Sequence, residues 1–191
     1  MTEKKYDVLG LGNAIVDILS YVDDSLLEKF DLPKGGMTLI DEKQSQKIYK
    51  EMGTATECSG GSVANTLAGI AILGGSAAYI GKVRKDAFGK IFQHDIKASG
   101  VHFNTTPLPE DSDAATAHCL VMVTQNENQY GKVTVERTMA TCLGANGKIT
   151  EKDINVSLIK ESKVLFLEGY LWEDQNTKNM ANRAIAVAKR N

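Results

Sequence analysis

The sequence predicts an α/β fold: a mostly parallel sheet flanked by helices, with a small antiparallel sheet lying over it as a lid. Three observations predict it. Apolar strand-like runs alternate with capped helical stretches, as a parallel sheet requires. Four further strand candidates, near 14–22, 37–41, 115–124 and 132–140, break that alternation and can form a separate small sheet. The chain has 191 residues, 42% hydrophobic and 24% charged, enough for one good-sized domain with an ordinary core.

The elements follow in order. Tyr6-Asp7-Val8-Leu9-Gly10-Leu11-Gly12 reads as a short buried strand closed by a glycine turn. Residues 14–22 alternate, with Ile15, Asp17, Leu19 and Tyr21 on one face and Val16, Ile18, Ser20 and Val22 on the other. A short helix is expected over 24–30, a turn at Pro33-Lys34-Gly35-Gly36, a strand at 37–40 and a helix over 42–52. Ser62 is expected to cap a helix over 63–73 that Gly74-Gly75 ends. A strand over 77–83 leads to a helix over 86–99, stopped by Gly100. The strands 115–124 and 132–140 are joined by a polar loop over 125–131. Thr150 is expected to cap one helix over 151–161, before a strand at 163–167 and a helix over 174–189. A crossover helix in this pattern should deliver the chain to another strand, so the sequence reads as cut short.

Composition excludes several classes. The 22 Lys and Arg residues are scattered and the net charge is −2, which gives no electrostatic footprint for nucleic acid. No apolar run approaches the roughly 20 residues a membrane helix needs. The start of the chain has no apolar signal core, so a cytoplasmic location is expected. Cys58, Cys119 and Cys142 are odd in number and widely spaced, which favours reduced thiols over a disulfide framework. His94, His102 and His118 lack metal-ligand spacing, so no metal site is expected. Gly10-Leu11-Gly12 starts like a dinucleotide fingerprint, but position 15 is Ile. Gly75 to Gly81-Lys82 misses the P-loop spacing and has Val83 where a hydroxyl is needed.

Three short stretches carry possible chemistry. Asn13 and Asp17 have even spacing, so an extended backbone points both to one side, where amide and carboxylate can grip a polyol. Asp17 also reads as a polar residue of a half-exposed strand. In Ser59-Gly60-Gly61-Ser62-Val63-Ala64-Asn65, the glycine pair lets backbone approach a ligand, and Asn65 leans back toward the helix mouth. A plain glycine turn with a serine cap is the other reading. Arg137, in Glu136-Arg137-Thr138-Met139, can reach an anionic group, or it is a surface arginine paired with Glu136 or Glu127.

Together these pieces resemble the PfkB, ribokinase-like family of carbohydrate kinases. The order is Gly12-Asn13-x-x-x-Asp17, Gly60-Gly61-Ser62-x-x-Asn65, Gly74-Gly75, and a run from Ile80 to Gly89 that includes Asp86. Ser99-Gly100-Val101, Glu136-Arg137-Thr138-Met139 and Leu167-Glu168-Gly169-Tyr170 complete it. Ser62 stands where ribokinases proper carry Lys, and the Asn13–Asp17 gap is longer than theirs. Both details lean toward the adenosine-kinase-like branch. The resemblance implies that residues 1–191 are the N-terminal part of a ribokinase-like domain. It implies a sugar or nucleoside clamp from Asn13, Asp17, Gly61, Ser62 and Asn65, a β-lid, and Arg137 near the transferred phosphate. It implies ATP and Mg2+, with a primary alcohol attacking the γ-phosphate and a late Gly-Ala-Gly-Asp motif supplying the base. The nearest string here is Gly144-Ala145-Asn146-Gly147, which has an amide where a carboxylate is needed, so no catalytic residue is expected among these 191. The alternative is a noncatalytic substrate-binding module, or a homodimer built through the lid or the exposed sheet edge at 163–167.

Overall fold

The computed structural model describes residues 4–127 and 130–191. A four-stranded sheet is built from β1 (Tyr6–Leu11), β5 (Ala77–Ile80), β6 (His102–Phe103) and β9 (Ser162–Leu167), in the order β6-β5-β1-β9. Its ladders are all parallel. β1 lies inside this sheet, covered on both faces, and its sequence suits that place. Leu9 and Leu11 point to one side, into a core with Leu158, Ile159, Met180, Ala181 and Ala184 of α5 (Val156–Lys160) and α6 (Gln175–Ala188). Val8 and Gly10 point to the other, beneath α3 (Ser62–Ile72), whose Val63 and Leu67 fill the space a side chain at Gly10 would need. The helix α4 (Ala87–Ala98) covers the same face as α3, with Phe92 and Ile96 packed around Tyr79 and Phe103.

The second sheet has five strands in the order β3-β8-β7-β2-β4. They are β2 (Ile15–Tyr21), β3 (Met37–Leu39), β4 (Thr56–Gly60), β7 (Ala117–Glu127) and β8 (Val133–Cys142). Four are the strands expected near 14–22, 37–41, 115–124 and 132–140. β4 was not legible, because Thr-Glu-Cys-Ser-Gly carries no apolar alternation; its place is fixed by pairing along β2. The sheet is mixed, which corrects the antiparallel expectation: β2 runs parallel to β7, and β3 parallel to β8. The reason is connectivity. β7 and β8 are consecutive and antiparallel, whereas β2 and β7 each leave the main body in the same direction, with Ile15 beside Ala117 at their starts. The loop expected over 125–131 includes residues 128 and 129, which lie outside the described residues; strand pairing continues as far as Glu127 opposite Val133.

One face of this second sheet is covered. Val16, Ile18, Leu120, Met122 and Ala140 join Leu27 of α1 (Asp24–Lys29) and Ile48 of α2 (Glu42–Glu51) in the core that also holds Val63, Leu67 and Phe92. His118 points the same way and is a satisfied core histidine, with Nε2 2.6 Å from the Ser45 hydroxyl and Nδ1 2.9 Å from the Thr116 carbonyl. The other face carries Ile15, Leu19, Cys119, Val121, Val123 and Met139 as a smaller apolar cluster around Asp17.

Three local expectations are corrected. Ser62 is the first residue of α3, not its cap; the cap is Gly61, with φ +97°. The single helix over 151–161 is two pieces. Thr150 and Asp153 form a capping box on a short 3-10 turn at Glu151–Asp153, and Asn155 accepts from the Ser157 and Leu158 amides to start α5 afresh. The strand expected over 77–83 stops at Ile80. Among the described residues no helix is long and apolar enough to cross a membrane.

Candidate functional site

The chain crosses between the two sheets at one corner, and the candidate residues collect there. The first crossing is 12–14, between β1 and β2. The second is Gly60-Gly61, between β4 and α3. The third enters β7 through Ala115 and Thr116, and the fourth leaves β8 at Gly144. Ala145 donates its amide to the Ala115 carbonyl at 2.7 Å, which joins the third and fourth. Asn146 accepts from the Ala14 amide at 3.1 Å, which joins the fourth to the first. The discarded Gly144–Gly147 string is thus part of the hinge: it forms a 3-10 turn over Gly144–Lys148, with Asn146 3% exposed.

Glu168 joins the first crossing to the second. Its Oε1 accepts the Asn13 amide at 2.7 Å, and its Oε2 accepts the Ser62 hydroxyl at 2.8 Å. Burial pushes its carboxyl up, against hydrogen bonds from Asn13, Ser62 and the Val63 amide. Gly61 is needed for two reasons. Its φ of +97° disfavours a side chain, and a Cβ there would lie 2.7 Å from the Asn13 carbonyl oxygen.

Asp17 sits on β2 between Cys58 of β4 and Cys119 of β7. Its carboxylate folds over Gly60, where any side chain would land on it. Burial pushes the Asp17 carboxyl up, and the Arg137 guanidinium pulls the other way. Arg137 is exposed on β8 and shares the face of Asp17, because Asp17 aligns through Cys119 with Thr141, four residues along β8. Asn13 is buried and Asn65 is exposed in the first turn of α3. The structure therefore gathers Asn13, Asp17, Gly61 and Ser62 around one corner. Asn65 lies one helical turn on, and Arg137 farther out along the second sheet.

Two residues at this corner escaped the assignment of site residues. Glu168 was visible only as part of a motif, and its partner is 155 positions away. Asn146 was weighed as a failed catalytic string rather than as a hinge. Neither role has a local signal, since both are made by contacts distant in sequence.

The model of the pfkB family carbohydrate kinases matches residues 29–191. The chain belongs to this family. Among its relatives is adenosine kinase 2 of Arabidopsis thaliana, 27% identical over 177 residues, which cover 88% of this chain and 49% of that protein. The crystal structure of adenosine kinase from Sinorhizobium meliloti matches with a TM-score of 0.86 at 45% identity, over 97% of this chain and 54% of that one. A probable sugar kinase from Rhizobium etli CFN 42 matches with a TM-score of 0.85 at 39% identity, over 98% and 54%. The pfkB chain described here thus spans about half the length of these relatives. Its ribokinase-like α/β fold, with one parallel and one mixed sheet, is the fold of those structures.

Proposed function

We propose that this chain forms the acceptor-binding part of an ATP-dependent pfkB kinase that phosphorylates a primary alcohol of a nucleoside. One observation carries the reading: a half-buried carboxylate, Asp17, lies over the Gly60-Gly61 turn and directly beside a half-buried apolar strand face. A sugar needs hydroxyl acceptors and donors, which Asp17, Asn13 and the backbone at Gly61 and Ser62 supply. A base needs a flat apolar surface, to which the partly exposed Ile15, Leu19 and Met139 contribute. Several relatives are adenosine kinases, which supports the same choice.

In this scheme Asp17 orients the acceptor by taking hydrogen bonds from its hydroxyls, and Asn65 and Arg137 bracket the anionic side. Holding the alcohol in one geometry is the larger part of what a phosphoryl-transfer site must do. ATP and Mg2+ are the co-reactants the family implies. Among the described residues no group of three His, Cys, Asp or Glu side chains is placed to hold a metal ion. Their contribution is to bind and orient the acceptor.

The test is calorimetric titration of the chain with adenosine, ribose and fructose. Adenosine is expected to bind more tightly than either sugar, and Asp17→Asn to weaken it by roughly tenfold to a hundredfold, the range for a hydrogen-bonded charged group. Equal affinity for ribose and adenosine, or an unaffected variant, defeats the nucleoside reading.

A further inference from the structure

A cavity of about 240 Å³ opens on the side of the mixed sheet away from Asp17. Its inner end is lined by Ile18 of β2 and by His118 and Leu120 of β7, all nearly fully buried. Their parity along the strands sets them on the face opposite Asp17 and Cys119. Two helices supply the walls. Glu42, Ser45 and Tyr49 come from α2, which packs on the mixed sheet, and Phe88 comes from α4, which covers the parallel one. The cavity is therefore a second hollow, back to back with the corner of Asn13 and Asp17, and a molecule held in it touches the coverings of both sheets.

Most of the polar groups around it are already engaged. His118 has one ring nitrogen on Ser45 and the other on Thr116, and the Phe88 ring lies 5.2 Å from the imidazole, centroid to centroid. Arg84 donates from Nε to Asp86 at 2.9 Å and from a terminal nitrogen to the Ser112 carbonyl at 3.1 Å. Asp86 also accepts from the Gly89 and Thr116 amides at 2.8 and 2.9 Å and from the Thr116 hydroxyl at 2.7 Å. These two ions balance each other.

Glu42 is different. It is half-buried on the wall of the cavity and has no hydrogen bond or ion pair among the described residues. Of the three charged residues that line the space, Glu42, Arg84 and Asp86, it alone is uncompensated. The rings of Tyr49 and Phe88 line the same space, and an aromatic face also attracts a cation. The Tyr49 hydroxyl donates to Glu57 at 3.2 Å, which brings a second carboxylate to that side. An apolar inner end with one unmatched negative charge on the wall selects a flat apolar body carrying a positive head.

We propose that this cavity binds a small aromatic cation, an aryl amine or amidine, with its ring against Ile18, Phe88 and Leu120 and its charge on Glu42.

The test uses benzamidine, benzamide and benzoate, which share one ring and differ in the charge of the head. Each is titrated into the 191-residue chain and followed by amide chemical shifts. Benzamidine is expected to bind about tenfold or more tightly than benzamide, as a hydrogen-bonded charge pair provides, and benzoate more weakly than either. Glu42→Gln is expected to bring benzamidine down to the affinity of benzamide and to leave benzamide unchanged. Ala87→Trp, at an exposed position that lines the cavity, is expected to exclude benzamidine by filling the space. No binding of benzamidine, equal affinity for all three, or tightest binding of benzoate overturns the proposal. Benzamidine binding that neither variant diminishes places the ligand elsewhere and overturns it too. None of these readouts uses nucleoside binding, so they stand or fall apart from the proposed activity.

Discussion

Glu168 shows how much of the corner depends on one side chain. It accepts a backbone amide from the β1–β2 crossing and a hydroxyl from the start of α3. Glu168→Ala leaves the buried Asn13 amide without its acceptor, which costs about 1–3 kcal/mol. For a chain of this size that is a fall in melting temperature of roughly 2–12 °C, measurable by calorimetry. Asp17 behaves oppositely. Its carboxyl is raised by burial, so between the ordinary and the raised value the folded state binds more protons than the unfolded one, and stability falls as pH rises through that window. Asp17→Asn is expected to flatten this slope without loss of stability at neutral pH, read from urea denaturation at several pH values. Acceptor binding needs the ionised form and should therefore weaken as pH falls through the raised value, a dependence that the same variant abolishes. The strand position of Asp17 and the turn at Gly60-Gly61 were legible because each carries a local rule: strand alternation, and a turn only glycine makes easily; Asn13 lies outside β2, in the crossing over 12–14. Glu168 carries no such rule.

At the scale of elements, β1 is latched at its outer end by Asp7. One oxygen accepts from Lys163 of β9 at 2.7 Å, and the other from the amide and hydroxyl of Ser76 ahead of β5, at 2.8 and 2.9 Å. The Lys163 hydrogen bond above all, then those from Ser76, holds this carboxyl far below the usual range. A depressed carboxyl contributes stability above its unfolded value, near 3.8, and that stability is lost as pH falls through the folded value. Asp7→Asn is expected to be less stable than the parent at pH 7, with the gap closing on acidification below about pH 4; parallel denaturant titrations would show the convergence. The elements also mark where the sequence was silent. Alternation and caps reveal strands and helices that bury a regular face, so β1, β2, β5, α2, α4 and α6 were legible. β4 is an edge strand of small and polar residues, and β6 is two residues long; both exist because a neighbour pairs with them. The parallel setting of β2 and β7 is likewise a property of the crossings, invisible in either strand alone.

For the whole molecule, the two sheets share a core. Val16, Ile18, Leu120 and Met122 of one sheet pack in the same cluster as Val63, Leu67 and Phe92 over the other. The mixed sheet should therefore not melt by itself. Leu120→Ala is expected to cost about 2–5 kcal/mol and to lower a single transition. Far-ultraviolet circular dichroism reports both sheets and Trp172, the one tryptophan, reports the region after β9; the two melting curves are expected to coincide before and after the change. Separate midpoints would show two independent units.

All four passages of the chain between the sheets lie at one end of the long hairpin β7–β8, and the opposite end is far from any of them. A strand of 11 residues extends roughly 35 Å at about 3.3 Å per residue. Pairing with β2 holds β7 as far as Val123, so only the stretch beyond it, 124–127 with its partners on β8, projects as a free arm. A reporter dye near Thr134 rides on that arm and reads its motion, well away from the passages around Ala14.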